Sequence, residues 1–197
     1  LRSTGHEISH LDLGGGLGIP YSDESLADLN AYNQIILETV GDLDCKLSIE
    51  PGRYVVGEAG ILITRVIYIK QGEQKKFVIV DGAMNDLILP TLYDGFHAIV
   101  PVTEKNLSSQ KSLCDVVGPI CESGDYFAKD RMLPEVSQND LLAITCSGAY
   151  GAVMASNYNS RPLIPEVLVS NDVFSVIRER QAFEKIIQDE KLAAWLQ

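Results

Sequence analysis

Residues 8–53 constrain the fold of this chain more than any other stretch. Ile8–Leu13 is a short apolar run that ends in Gly14-Gly15-Gly16-Leu17-Gly18, the pattern of a buried strand entering a tight loop. From Ser25 to Val40 the apolar residues Leu26, Leu29, Ile36, Leu37 and Val40 recur at helical spacing, with Ser22 or Asp23 as N-cap and Gly41 as the stop. Lys46–Ile49 reads as a second strand and ends in Glu50-Pro51-Gly52-Arg53. Strand, loop, helix and strand at this spacing form a βαβ unit, with parallel strands and a right-handed crossover. Parallel strands are usually buried on both faces. One unit cannot cover both, so further structure is expected before Leu1 or from another chain.

The texture changes after Gly60. Ile61–Lys70 and Lys76–Val80 are rich in β-formers and flank a polar turn. Shorter strands are expected around His97–Pro101, Cys114–Pro119, Leu141–Cys146 and Glu166–Val169. Strands without intervening helices point to an antiparallel sandwich or barrel. Val173–Leu196 reads as an amphipathic terminal helix. The fold class expected is therefore α/β plus all-β, with residues 1–58 as an α/β piece and 59–197 as a β-domain closed by a helix.

Composition narrows the partners. The net charge of −11 argues against nucleic acid, whose phosphates need clustered Lys and Arg, and disfavours an anionic membrane surface. A local Arg can still hold a small anion. The longest apolar stretches, Gly60–Ile63 and Val66–Ile69, are broken by Arg65 and too short to span a bilayer. Cys45, Cys114, Cys121 and Cys146 form no CxxC pair, and His6, His10 and His97 lack metal-ligand spacing, so no metal site is expected. Such cysteines read as free thiols of a cytoplasmic protein.

Five segments can carry chemistry. Gly14, Gly15 and Gly16 after a strand either turn the chain or offer backbone N–H groups to a phosphate, helped by a following helix dipole. Glu50 and Arg53 around a Pro-Gly turn either serve a ligand or pair with each other. Val80-Asp81-Gly82-Ala83-Met84-Asn85-Asp86 runs from a strand into a turn that suits a hairpin. Cys121, beside Glu122 in Pro119-Ile120-Cys121-Glu122-Ser123-Gly124-Asp125, is either a reactive thiol or an inert one. Tyr150, in Ser147-Gly148-Ala149-Tyr150-Gly151, either packs or offers its hydroxyl to a ligand.

The order of these segments is more specific than any one of them. GGGLG, EPGR, VDGAMND with LPTLY, GPICESGD, and SGAYG with SNYNSRP resemble the fold-type-III pyridoxal-phosphate (PLP) decarboxylases, and within them the diaminopimelate decarboxylases. The resemblance spans nearly the whole chain. It implies that residues 1–58 are the last part of a PLP-binding (β/α)8 barrel and that the rest is the C-terminal β-domain. By resemblance, Gly14, Gly15 and Gly16 would hold the PLP phosphate, with Gly52, Arg53 and Tyr150 beside it. Glu50 would pair with the pyridine nitrogen and favour its protonated form, which strengthens the electron sink. Arg53, Tyr93, Glu122 and Tyr150 would contact the substrate. Cys121 would be the general acid, reaching with Glu122 into the site of a neighbouring subunit, which implies a homodimer. The reaction implied is decarboxylation of meso-2,6-diaminopimelate to L-lysine. Ornithine, arginine or carboxynorspermidine decarboxylation is the alternative, as is a catalytically dead fragment that binds a partner.

Two departures from the family pattern matter. The lysine that forms the Schiff base belongs to the barrel half not represented here, and Lys46, Lys70, Lys75 and Lys76 sit in other motifs. These residues alone are therefore expected to be inactive. Where the family has an Arg before Pro-x-Leu-Tyr, this chain has Leu89, which cannot clamp a carboxylate. Losing such a partner costs on the order of 2–4 kcal/mol.

Overall fold

The computed structural model describes residues 1–196. Strand β1 (His10–Asp12) pairs in parallel with β2 (Lys46–Ser48), with His10 opposite Lys46 and Asp12 opposite Ser48. Helix α1 (Leu29–Val40) connects them. Its N-cap is Asp28, not Ser22 or Asp23 as the sequence suggested. The Asp28 carboxylate accepts hydrogen bonds from the N–H groups of Asn30 and Ala31 at 2.9 and 3.1 Å, satisfying two first-turn donors. The preceding residues fold as a loop instead, because the Glu24 carboxylate takes the Tyr21 and Ser22 N–H groups. Among the described residues the apolar stripe of α1 is only partly covered: Ile36 and Val40 are half-buried, while Ile35 and Leu37 are exposed. A second, five-residue helix, α2 (Gly52–Val56), starts within the Glu50–Arg53 turn.

The next residues form a six-stranded sheet. In chain order they are β3 (Leu62–Gln71), β4 (Lys76–Val80), helix α3 (Leu89–Tyr93), β5 (Ile99–Pro101), helix α4 (Glu104–Leu107), β6 (Lys111–Val117), β7 (Tyr126–Pro134) and β8 (Leu141–Ile144). The spatial order is β5-β8-β3-β4-β6-β7. All neighbours are antiparallel except β4 and β6, which run in parallel, so the sheet is mixed where an antiparallel one was expected. It curls nearly closed. Arg131 of β7 donates at 2.8 Å to the carbonyl of His97, just before β5, joining the two edges. Inward strand residues fill the interior, Val66, Val78, Val80, Val116, Phe127, Leu133, Leu142 and Ile144, joined by Leu87 from the segment after β4. Each such side chain stabilises the fold by about 1.5–3 kcal/mol.

Asp81 and Gly82 do not make a hairpin. The Asp81 carboxylate accepts from the Thr64 hydroxyl and the Arg65 N–H, both at 2.7 Å, and Thr64 in turn accepts from the Gly82 N–H at 2.8 Å. This satisfies the buried Thr64 and ties the end of β4 back to β3. The expected terminal helix is also corrected. Val173–Arg178 is strand β10, which forms an antiparallel hairpin with β9 (Glu166–Ser170). Its Val, Phe and Ile residues favour an extended chain, and Asn171 at φ 51° makes the turn. Among the described residues beyond it, α5 (Glu184–Ile187) and a 3₁₀ turn at Ala194–Leu196 are helical.

Candidate functional site

The ends of β1 and β2 bring two of the five segments together. The Leu13 N–H donates to the Ser48 carbonyl at 3.0 Å and the Glu50 N–H to the Gly14 carbonyl at 2.8 Å, so the glycine loop and the Glu50–Arg53 turn lie side by side. Gly15 has no room for a side chain, since a Cβ there would stand 2.6 Å from the Glu50 carbonyl oxygen. Gly14 and Gly16 have φ of +70° and +94°, which favour glycine. The Gly14 N–H is committed to the Asp12 carboxylate at 2.6 Å. The N–H groups of Gly15 and Gly16 have no hydrogen-bond partner among the described residues. Helix α1 starts at Leu29, so the glycine loop runs into it through a further loop rather than directly.

Arg53 and Tyr150 meet although they are far apart in sequence. The Arg53 guanidinium carbon lies 5.2 Å from the centroid of the Tyr150 ring and 5.8 Å from that of Tyr21. What allows this is a backbone-to-backbone contact. The Gly148 N–H donates to the Gly57 carbonyl at 3.0 Å and the Ser147 N–H to the Gly60 carbonyl at 2.8 Å. A Cβ on Gly60 would lie 2.5 Å from the Gly148 Cα, so neither position tolerates a side chain. The 147–151 loop is thereby clasped onto the end of α2, and Tyr150 turns out of it at φ 61°. Glu50 does not pair with Arg53, so the structural ion pair considered above does not form.

A second group gathers around Cys121 and Glu122, both exposed. Asp125, 4% exposed, holds their loop: its carboxylate accepts from the Met84 N–H at 2.7 Å and the Ile120 N–H at 2.6 Å. Burial pushes this carboxyl above its ordinary value despite the two donors. The Glu122 carboxylate accepts from the Gly124 N–H and, at 3.4 Å, from the Tyr158 hydroxyl. The Thr91 hydroxyl donates to the Gly124 carbonyl, placing α3 and the exposed Tyr93 alongside. Leu89, at the start of α3, is 8% exposed and packs inward. Among the described residues no hydrogen bond or ion pair joins this group to the one around Arg53.

Arg161, in the Ser156–Pro162 segment, links the segments from below. It donates to the Asp81 carbonyl at 2.6 Å and the Asn85 side chain at 3.0 Å, and lies 3.7 Å from the buried Asp86 carboxylate, whose burial raises its pKa. Neither Asp125 nor Arg161 was singled out in the sequence, because their partners are 41 and 80 residues away. An open groove of about 610 Å³ adjoins the Arg53 group through Tyr21, and is lined as well by Glu58, Phe96, Thr145 and Cys146. Among the described residues no three His, Cys, Asp or Glu side chains cluster as metal ligands, and no helix is long and apolar enough to cross a membrane.

Residues 32–148 match the family described as pyridoxal-dependent decarboxylase, C-terminal sheet domain, and residues 1–57 match its pyridoxal binding domain. The chain belongs to the pyridoxal-dependent decarboxylases. Its curated relatives include diaminopimelate decarboxylases of Zymomonas mobilis, 46% identical over all of this chain, and of Neisseria meningitidis serogroup A, 48% identical over 96% of it. Each match takes up 46% of the relative, so the chain spans about half the length of these proteins. The crystal structure of diaminopimelate decarboxylase from Helicobacter pylori complexed with L-lysine superposes with a TM-score of 0.87 at 45% identity. That match covers 95% of this chain and 46% of the other.

Proposed function

We propose that these residues are the C-terminal part of a cytoplasmic, homodimeric decarboxylase that converts meso-2,6-diaminopimelate to L-lysine and CO₂. Residues 1–58 complete a PLP-binding barrel, and residues 59–197 form the β-domain. The observation that carries this reading is the convergence of the glycine loop, Glu50 and Arg53 at adjacent parallel strand ends, with Tyr150 laid against Arg53.

The residues present fit the cofactor. The Gly15 and Gly16 N–H groups and the Arg53 guanidinium suit a phosphate, with Gly52 and Tyr150 beside them. Glu50 supplies the carboxylate for the ring nitrogen. Bound PLP would supply the electron sink that makes loss of CO₂ from the substrate accessible. Arg53, Tyr93 and Tyr150 orient the substrate, and Glu122 receives the ammonium at its far end. Cys121 delivers a proton from its thiol to the substrate carbon after CO₂ departs. The lack of any bond between the Cys121 group and the Arg53 group supports a site completed by the neighbouring subunit, each protomer lending its loop to the other.

The buried Leu89 favours a second reading, decarboxylation of ornithine, arginine or carboxynorspermidine, because no guanidinium stands there to clamp a second carboxylate. Assay of the full-length protein with each amino acid separates the two. Lysine is expected from diaminopimelate, with kcat lowered roughly 10²- to 10⁴-fold in Cys121→Ala. Amine release from ornithine or arginine without lysine formation would favour the second reading.

A further inference from the structure

Tyr21 stands outside every family segment quoted above, yet it occupies the joint between the two parts of the molecule. Ile19 is 8% exposed and packs against Gly57, where a Cβ would collide with it. The Cys146 thiol donates to the Pro20 carbonyl at 3.6 Å. The Tyr21 ring then meets His97 edge-on, with centroids 5.4 Å apart and planes at 87°. His97 is fully buried, and its Nδ1 lies 2.9 Å from the Thr145 carbonyl, so this nitrogen carries the donated proton. Tyr21 is thus fixed by the β-domain while it touches Arg53, which belongs to α2.

Arg53 needs such a support. It is exposed, and among the described residues no carboxylate forms an ion pair with it. A free arginine side chain samples many rotamers, and holding it for an incoming anion requires contacts that fix its plane. Two aromatic rings supply them, Tyr21 at 5.8 Å and Tyr150 at 5.2 Å. Both rings ride on loops, but Tyr21 also rests on a buried imidazole.

We infer that Tyr21 is a positioning residue, which holds the Arg53 guanidinium between two rings so that it is pre-set for an anionic group of the ligand. This rests on the proposed role of Arg53 in holding phosphate or carboxylate.

The test compares Tyr21→Leu, which keeps apolar bulk against His97 but has no ring face, with Tyr21→Phe, which keeps the face. Both are made in the full-length protein and read in two ways. Side-chain ¹⁵N relaxation of Arg53 Nε reports its order, and equilibrium dialysis reports its affinity for pyridoxal 5′-phosphate. In Tyr21→Leu the Arg53 order parameter is expected to fall to the flexible range, below about 0.6, and the affinity to weaken about two- to five-fold. Tyr21→Phe is expected to keep both near wild type. An Arg53 order parameter unchanged in Tyr21→Leu overturns the inference. If the order falls but neither Tyr21→Leu nor Arg53→Ala alters the affinity, the anion role of Arg53 is what fails, and the function of the stack fails with it.

Discussion

Replacing Asp125 by Ala tests how the Cys121–Glu122 loop is held. The carboxylate accepts two backbone N–H groups at 2.6 and 2.7 Å, one from inside the loop and one from Met84 across from it. Hydrogen bonds to a charged group contribute about 1.5–3 kcal/mol each, and Ala leaves both donors unpaired. Part of this is returned, because burial of the carboxylate is itself unfavourable, as its raised pKa shows. The net loss is about 3 kcal/mol, and for a domain of roughly 200 residues this lowers Tm by about 6–12 °C. Asn keeps one acceptor oxygen, so Asp125→Asn is expected to lose about half as much. Thermal unfolding at pH 7, followed by circular dichroism, measures both. A drop of under about 2 °C for Ala would refute the reasoning, as would equal damage from Ala and Asn.

Two further outcomes follow from the clasp and the buried imidazole. Gly148→Ala drives a Cβ into the backbone at Val56 and Gly60, and is expected to cost about 2 kcal/mol in urea unfolding. Gly18→Ala, with open space around it, should match or exceed wild type, and equal stability of the two variants would count against the clasp. Burial holds the His97 imidazole below its ordinary value of 6.5, so the unfolded chain takes up that proton before the folded one does. Stability therefore falls as pH drops below about 6.5, by at most about 1.4 kcal/mol per unit, until the folded-state value is reached. The buried Asp86 and Asp125 act with the opposite sign: their pKa values are raised, so their contribution is lost as pH rises through those values. Denaturant titrations between pH 5 and 7 should show the His97 slope in wild type and not in His97→Phe.

Much of the architecture was legible because Leu62–Gln71 and Lys76–Val80 are rich in β-branched and aromatic residues and flank a polar turn. Strand β7 was missed because its alternation breaks at the exposed pair Lys129-Asp130, where Asp130 adopts φ 48° and the register with β6 shifts. Val173–Arg178 differs from the expected helix although its own sequence marks a strand. Val-Leu-Val-Ser-Asn-Asp-Val-Phe-Ser-Val carries a two-residue turn between β-branched runs and signals a hairpin. At the site, the glycine loop, Glu50 and Arg53 could be found because each stands at a strand end. Tyr21, Asp125 and Arg161 could not, since their contacts exist only once distant segments have packed.

The β9–β10 ribbon has a consequence for handling the protein. Leu168, Val169, Val173, Phe174 and Ile177 are exposed, and no third strand pairs with either outer edge among the described residues. An uncovered apolar ribbon with open backbone donors and acceptors is a template for further strands. Charge stands only at its two ends, Asp172 in the turn and the Glu166–Arg178 ion pair, at 2.7 Å, at the far end. The middle of the ribbon, between those two ends, is therefore where a further strand, from this protein or another chain, would find both open backbone groups and an apolar face.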